Sequence, residues 1–178
     1  EISNFRVAPE SWRSAEPVVT KPGMADPSIA KLIQQLRSGK ALEQTVAACK
    51  LGELAHDSAT NQRAIMSAGS IGPLLALLRR GSIEAQVNAA VALGCLAWNN
   101  ADNQTAIVLK GAIGPLVALV RGDSEGAQRS AAAALGRLAE NNIANQAAIV
   151  SAGGREALEV LARDGSGQAQ ENARRALQ

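Results

Sequence analysis

The stretch from Asn103 to Glu140 reads NQTAIVLKGAIGPLVALVRGDSEGAQRSAAAALGRLAE. It repeats the stretch from Asn61 to Trp98, NQRAIMSAGSIGPLLALLRRGSIEAQVNAAVALGCLAW. The offset is 42 residues, and about 24 of the 42 positions that start at 65 and at 107 are identical. Such identity at a fixed spacing indicates an internal repeat. The repeat determines the fold, because each unit must bury its apolar face against the next unit.

Each unit is predicted to contain three helices, the first of which is short. In the clearest copy it runs from Asn103 to Lys110, with Asp102 or Asn103 as the N-cap. Gly111 follows it, and a glycine there permits a left-handed exit from the helix. The Asn-Gln pair at 61, 103 and 145 is therefore interpreted as a helix start.

The second and third helices of this unit are predicted over residues 113–121 and about 124–140. Pro115 lies in the first turn of the second helix, where no amide hydrogen is needed. Gly136 would weaken an isolated third helix, but it recurs at 52 and 94, which favours close helix contact at this position. The predicted buried positions are Leu116, Leu119 and Val120 in the second helix and Ala127, Ala131, Ala134, Leu135 and Leu138 in the third.

The composition supports an all-α fold and excludes several functions. Nearly half of the 178 residues are apolar, yet only Phe5, Trp12 and Trp98 are aromatic, which suits closely packed helices better than a β-sandwich. The net charge of +2 predicts no basic face for nucleic acid. Cys49 and Cys95 fit no zinc spacing and are predicted to be thiols rather than a disulfide.

The apolar runs are too short to predict a transmembrane segment. The longest, 71–78 and 112–120, each contain Gly-Pro and could not cross a bilayer. No signal peptide is visible, and the sequence starts at Glu1. A soluble intracellular location is favoured, and an organellar one after removal of a presequence stays open.

The repeated residues resemble the armadillo repeat. The resemblance is carried by Asn-Gln-x-Ala-Ile-x-x-x-Gly-x-Ile-Gly-Pro-Leu-x-Ala-Leu, followed by Ala-Ala-x-Ala-Leu-Gly-x-Leu-Ala. It implies an all-α, right-handed α-solenoid of about four three-helix units, preceded by an extended N-terminal tail. The last unit departs from the pattern, since Gly72-Pro73 becomes Glu156-Ala157. The expected division is a tail (1–27) and an armadillo domain (28–178), the latter with a partial unit (28–58), two full units (59–100 and 101–142) and a terminal unit (143–178).

Residues 1–27 are expected to be an extended docking tail. They contain four of the six prolines, so they cannot form a helix bundle. Phe5 and Trp12 are the candidate anchors, on the array or on a neighbouring chain. A tail held only by crystal contacts is the alternative.

No enzyme is visible in the sequence. His56 is the single histidine, and its counterparts in the next units are Trp98 and Glu140, so no imidazole is required there. Neither cysteine has a second histidine to activate it. Catalytic, cofactor and metal sites are therefore not predicted, and neither is a small-molecule substrate.

The resemblance implies that the third helices line a concave groove that binds protein. By register the exposed ladders correspond to Val46/Asn88/Ser130/Asn172, to Cys49/Val91/Ala133/Arg175, to Glu53/Cys95/Arg137 and to His56/Trp98/Glu140. Importin alpha, an armadillo relative, uses Trp and Asn ladders at the second and third sets, and both are missing here. Importin-like cargo binding is therefore disfavoured. The candidate groove residues are Glu53, Asn88, Cys95, Trp98, Arg137, Asn172 and Arg175.

Charge divides this predicted groove into two ends. Glu53 and Asp57 lie at the amino end, and arginines including Arg137 and Arg175 lie at the far end, which would orient a bound segment. Trp98 is either a binding hot spot or a core residue between units, and the arginines are either a binding feature or a solvated face.

Two functions of different classes follow from these features. The first is a structural or adaptor subunit of a multi-subunit complex, with protein partners contacting the tail and the groove. The second is an adaptor that grips an extended peptide in the groove. An enzyme is the third class and is not expected.

Overall fold

The computed structural model describes residues 25–178, and all structural statements below refer to this part of the chain. There the chain forms eleven α-helices and no strand. The helices are α1 (Ile29–Ser38), α2 (Ala41–Ala55), α3 (Ala59–Ser67), α4 (Ile71–Arg80), α5 (Ile83–Ala97), α6 (Ala101–Leu109), α7 (Ile113–Arg121), α8 (Glu125–Ala139), α9 (Ile143–Ser151), α10 (Gly154–Asp164) and α11 (Gly167–Ala176).

The prediction of an all-α solenoid is confirmed. The helices follow one another as α1–α2 and then as three triplets, α3–α5, α6–α8 and α9–α11. Each third helix packs along the third helix of the next triplet, so α2, α5, α8 and α11 form one layer. We retain the division into units 28–58, 59–100, 101–142 and 143–178 as a proposal. The tail anchors Phe5 and Trp12 lie outside the described residues.

The first helix of each triplet begins at a side-chain cap. Asn100 has an extended backbone, and its side chain accepts a hydrogen bond from the Asn103 amide, which satisfies a donor with no partner inside the helix. Ser58 and Asn142 cap α3 and α9 in the same way. The predicted caps, Asp102 and Asn103, were wrong. Asn100, Asp102 and Asn103 are all capping residue types, so residue type alone did not identify which one sits at the boundary.

The link from the first to the second helix turns at a left-handed glycine, as predicted. Gly69, Gly111 and Gly153 have φ angles of 75°, 84° and 71°, which a side chain would disfavour. Helix α7 has the predicted bounds, with Pro115 in its first turn. Its buried stripe includes Val117, whereas the predicted Leu119 is only partly buried.

Third helices approach each other closely at the recurrent glycines, as predicted. A Cβ atom built on Gly52 would lie 3.3 Å from the Ala92 Cα, and one on Gly94 would lie 3.3 Å from the Ala134 Cα. On Gly136 it would lie 3.3 Å from the Ala176 Cβ. This packing offsets the low helix propensity of glycine. The inner face of α8 is formed by the predicted buried residues Ala127, Ala131, Ala134, Leu135 and Leu138.

Arginines at the ends of second helices connect neighbouring units. The Arg79 guanidinium donates to the Gly111 carbonyl at 3.2 Å, and that of Arg121 donates to the Gly153 carbonyl at 3.1 Å. Arg37 binds the Ala68 carbonyl in the same way at 2.6 Å. Each contact places a cation at the C-terminal end of the next first helix, where the helix dipole favours positive charge.

None of the helices within residues 25–178 is long and apolar enough to cross a membrane by itself. Helices α6 and α7 pass the same test only as a pair, and the pair is bent by 82°.

Candidate functional site

The third-helix surface, defined as the solvent-facing positions of α2, α5, α8 and α11 together with the residues that follow these helices, is the candidate site. Side chains of the first predicted ladder mostly connect neighbouring helices there. The Asn88 amide donates to the Thr45 carbonyl at 3.5 Å, and the Asn172 amide donates to the Arg129 carbonyl at 3.0 Å. Asn172 and Ser130 are buried, whereas Val46 is 44% exposed.

The second ladder provides a mostly small, partly buried floor. Cys49, Val91 and Ala133 are all half-buried. Arg175 is exposed at the far end, and its guanidinium contacts the Glu171 carboxylate one turn away at 3.0 Å. Small side chains at these positions leave space above the helices.

Three residues at or near the C-terminal ends of α2, α5 and α8 meet on this surface, and we call them the aromatic cluster: His56, Trp98 and Arg137. The ring centroids of His56 and Trp98 are 5.1 Å apart and tilted by 40°. The Arg137 guanidinium carbon lies 5.7 Å from the Trp98 ring centroid, within the range of a cation–π interaction. His56 Nδ1 is 2.9 Å from the Asp57 carboxylate. Trp98 is half-buried, so it contacts neighbouring units and also reaches the surface.

Cys95 lies beneath the cluster and is 1% exposed, so it cannot contact a partner in this conformation. The guanidinium of Arg137 is 3.4 Å from the Cys95 sulfur. Burial raises the pKa of the Cys95 thiol above its usual value, and the nearby positive charge of Arg137 opposes this shift in part. Neither Cys49 nor Cys95 takes part in a disulfide, as predicted.

The charged residues of the predicted groove lie on different helices. Glu53 and Asp57 lie at the end of α2, whereas Arg137 and Arg175 lie on α8 and α11. The Arg175 guanidinium pairs with the Glu171 carboxylate of the same helix at 3.0 Å.

Sequence reasoning missed the role of the repeated Asn-Gln pairs. The Asn103 side-chain amide donates to the Leu96 carbonyl at 2.8 Å, and the Gln104 amide donates to the Arg137 and Glu140 carbonyls at 3.0 and 3.3 Å. These bonds hold the C-terminal ends of third helices, and with them the backbone of the aromatic cluster. The spacing of 42 was the available signal, but it could not show which backbone groups are bound.

Sequence reasoning also missed an open cavity of about 750 Å³ at the far end of the layer. Three of the predicted groove residues line it, namely Arg137, Asn172 and Arg175. Ile143 and Arg155 contribute as well, and they come from α9 and α10 rather than from a third helix. Ile143 and Arg155 were not predicted, because the predicted groove residues all came from the third helices or the positions that follow them.

Comparisons with known proteins support this architecture. No family model matches the chain, and no curated protein does. Solved structures match it strongly. An engineered protein is 34% identical with a TM-score of 0.80, and the match covers 85% of this chain and 61% of that chain. A computationally designed armadillo repeat protein for modular peptide recognition is 30% identical with a TM-score of 0.76, covering 83% and 62%.

A further designed armadillo repeat protein was solved in complex with the peptide (KR)4. It is 28% identical with a TM-score of 0.77, and the match covers 83% of this chain and 62% of that chain. This chain thus spans about three fifths of the length of these structures. The fold and the repeated contacts define an α-solenoid repeat protein. Its structural neighbours specify the type further: the fold is that of an armadillo-like repeat.

Proposed function

We propose that this chain is a non-enzymatic scaffold that binds a segment of a partner protein on the third-helix surface. The observation that carries the proposal is the aromatic cluster, which joins three successive third helices at a half-exposed Trp98. Partly exposed tryptophan and arginine side chains are the commonest hot spots of protein interfaces. A designed armadillo structural neighbour that holds the peptide (KR)4 supports peptide binding by this kind of layer.

The charges of the surface give the bound segment a direction. Its basic part lies near Glu53 and Asp57, and its acidic part lies near Arg137 and Arg175. Asn88 and Asn172 bind the backbone of neighbouring helices, so in this proposal they shape the surface, and contact with the partner falls to Glu53, Trp98, Arg137 and Arg175.

The non-enzymatic part of the proposal rests on the surroundings of the single histidine. His56 contacts the Trp98 ring and the Asp57 carboxylate, and neither group is a nucleophile that a general base would activate.

A second version makes the chain a subunit of a larger assembly, with residues 1–27 as the main contact. One observation favours it. The Asp26 amide donates to the buried Asn61 side chain of α3 at 2.9 Å, so residue 26, next to the described start of the chain, contacts the array. Phe5 and Trp12 remain the candidate anchors of this version.

Co-purification with variants separates the two versions. In the first, Trp98→Ala combined with Glu53→Lys abolishes recovery of the partner, and deletion of residues 1–24 leaves it intact. In the second, the deletion abolishes recovery and the double variant does not. Leu109→Ala, at an 80% exposed position on α6, is the matched control. Circular dichroism of each variant checks that it is folded. A partner recovered equally with all variants would contradict both versions.

A further inference from the structure

Neighbouring units enclose a cleft at the turns between their second and third helices. One such cleft, which we call cleft A, has a volume of about 520 Å³ and lies between α1–α2 and α4–α5. Another, cleft B, has a volume of about 570 Å³ and lies between α7–α8, α10 and the turn before α11. Their lining residues correspond at twice the repeat period, as Leu36 does with Val120 and Leu77 with Leu161. The two clefts therefore occupy the same structural position in different units.

A cleft of this kind forms whether units precede it or follow it. Cleft A forms although helices α6–α11 follow it along the chain, and cleft B forms although helices α1–α5 precede it. The lining of cleft B ends at Ser166, in the turn before α11. The clefts are thus a feature of the contact between two adjacent units.

The two clefts differ in charge. The charged residues that line cleft A are Arg37 and Arg80. The charged residues that line cleft B are one cation and four carboxylates: Arg121, Asp123, Glu125, Glu156 and Asp164. Glu125, Glu156 and Asp164 stand where cleft A has Ala41, Gly72 and Arg80. The same backbone position is therefore basic in one place and acidic in the other.

Two of the four carboxylates in cleft B are available to a ligand. Asp164 pairs with Arg163 at 2.8 Å, and Glu156 lies 3.8 Å from the Arg121 guanidinium. Asp123 and Glu125 are exposed, and neither forms an ion pair within residues 25–178. The helix dipole favours Glu125 in the first turn of α8, but it disfavours a carboxylate at Asp164, the last residue of α10. Helix stability alone therefore does not account for the acidic lining.

Apolar side chains complete the lining of cleft B. Val160 is 45% exposed, and the buried residues Val120, Ala157 and Leu161 line the same space. Cleft A has the smaller Ala76 at the position of Val160. Lysine and arginine lay their aliphatic stems on apolar surface and keep their charge at its edge. A cleft with apolar lining and free carboxylates fits such a side chain.

We infer that cleft B is a second binding site of this chain, for a segment of a partner protein rich in lysine or arginine. The stem of a basic side chain packs on Val160, and its charge pairs with the Asp123 and Glu125 carboxylates. A cleft lined by charges of one sign attracts ligands of the opposite sign. The site goes beyond the proposed function, because it lies at the N-terminal end of α8 and the aromatic cluster lies at C-terminal helix ends. A 15-residue helix such as α8 is about 22 Å long.

A peptide titration with the full chain tests the assignment. The probe is fluorescein-labelled Gly-Arg-Leu-Lys-Leu-Gly, and the control peptide has Glu in place of Arg and Lys. Fluorescence anisotropy should show binding of the basic peptide only, and added salt should weaken it. Asp123→Asn combined with Glu125→Gln should weaken it about 10-fold, because both exposed ion pairs are lost. Glu84→Gln, at the exposed first-turn carboxylate of α5, is the matched control and should leave binding unchanged.

Charge reversal gives a readout that loss of folding does not imitate. Asp123→Lys combined with Glu125→Lys should make the chain bind the acidic peptide in preference to the basic one, since the cleft then carries Arg121 and two lysines. Circular dichroism checks that each variant is folded. An unchanged preference for the basic peptide, or equal binding of both peptides by the original chain, would overturn the proposal. Spermidine that binds as tightly as the basic peptide and displaces it would overturn it in favour of a small polycation.

Variants of the third-helix surface separate this inference from the proposed function. Glu53→Lys and Trp98→Ala should bind the basic peptide with unchanged affinity, because neither residue lines cleft B. Loss of peptide binding in either variant would place the peptide on the third-helix surface and reject cleft B. Peptide binding that depends on Asp123 and Glu125, together with normal recovery of the partner by Trp98→Ala, would reject the proposed function alone.

Discussion

The inner unit α6–α8 and the last unit α9–α11 use the same residue types in different ways. Gln104 is buried and holds a helix end, whereas Gln146 is exposed and binds a carbonyl on the preceding helix. Arg121 binds the carbonyl of Gly153 in the next unit, whereas its counterpart Arg163 forms a local pair with Asp164, with a shortest contact of 2.8 Å. The contacts of these glutamines and arginines therefore differ because their neighbours differ, and the residue types are the same.

This comparison shows that the repeated polar residues stabilise the fold through contacts that the local helix cannot provide. A side chain that bridges helices in the unit α6–α8 has a partner close by in the unit α9–α11. Units in a solenoid contact only their neighbours, so identical substitutions should have different effects at the two places.

The largest expected difference is at the close helix contacts. Gly94→Leu forces a side chain toward the Ala134 backbone in the middle of the array, and it should lower the free energy of unfolding by about 3 kcal/mol. Gly136→Leu meets Ala176 in the last turn of α11, which can shift, so its cost should be about 1 kcal/mol. Urea unfolding followed by circular dichroism measures both.

Gly114→Ala is the matched control for these glycines. A Cβ atom there meets nothing within 4 Å, and the residue lies in the first turn of α7. The substitution should therefore stabilise the protein by about 0.5 kcal/mol, since alanine has the higher helix propensity. Equal losses for Gly94→Leu and Gly136→Leu would show that the contact of α8 with α11 is as rigid as that of α5 with α8.

A smaller difference is expected at the paired glutamines. Gln104→Ala leaves the Arg137 and Glu140 carbonyls and the Asn142 amide without this partner, and should cost about 2 kcal/mol. Gln146→Ala removes one exposed hydrogen bond and should cost less than about 0.5 kcal/mol. The same unfolding experiment checks this, and a Gln146→Ala loss as large as that of Gln104→Ala would refute the comparison.

The sequence predicted the repeated part of the structure well and its end poorly. The period of 42 located the helices, the left-handed glycines and the close contacts at Gly52, Gly94 and Gly136, because these depend on residues that recur. The cavity beside Gln146 is lined in part by residues of α9 and α10, which the register of the third helices does not include. The choice of Asn100 as the cap of α6 was hidden among equivalent residue types.

The predicted groove residues also differ in outcome, because exposure depends on the neighbours of a residue. Trp98 and Arg137 were singled out by charge and aromaticity, and the structure brings them together in the aromatic cluster. Cys95 belongs to the same ladder as Arg137, but it is buried, with the Arg137 guanidinium 3.4 Å from its sulfur. Register predicts which residues align along the array, whereas exposure depends on how far each neighbouring side chain extends over them.

The smallest expected effect concerns the two thiols, and it is mainly on their reactivity. Burial raises the pKa of Cys95, so at about pH 8 its thiolate fraction in the folded state is below that of an ordinary cysteine. Alkylation by iodoacetamide should therefore be at least about 10-fold slower at Cys95 than at the half-buried Cys49, and its pH midpoint should lie higher. Mass spectrometry of Cys49→Ser and Cys95→Ala separates the two rates.

The raised pKa also means that the folded Cys95 thiol stays protonated when the unfolded one ionises, so this group lowers stability as the pH rises above about 9. Cys95 alkylated as fast as Cys49 in native conditions would show that the core beneath the aromatic cluster opens to solvent.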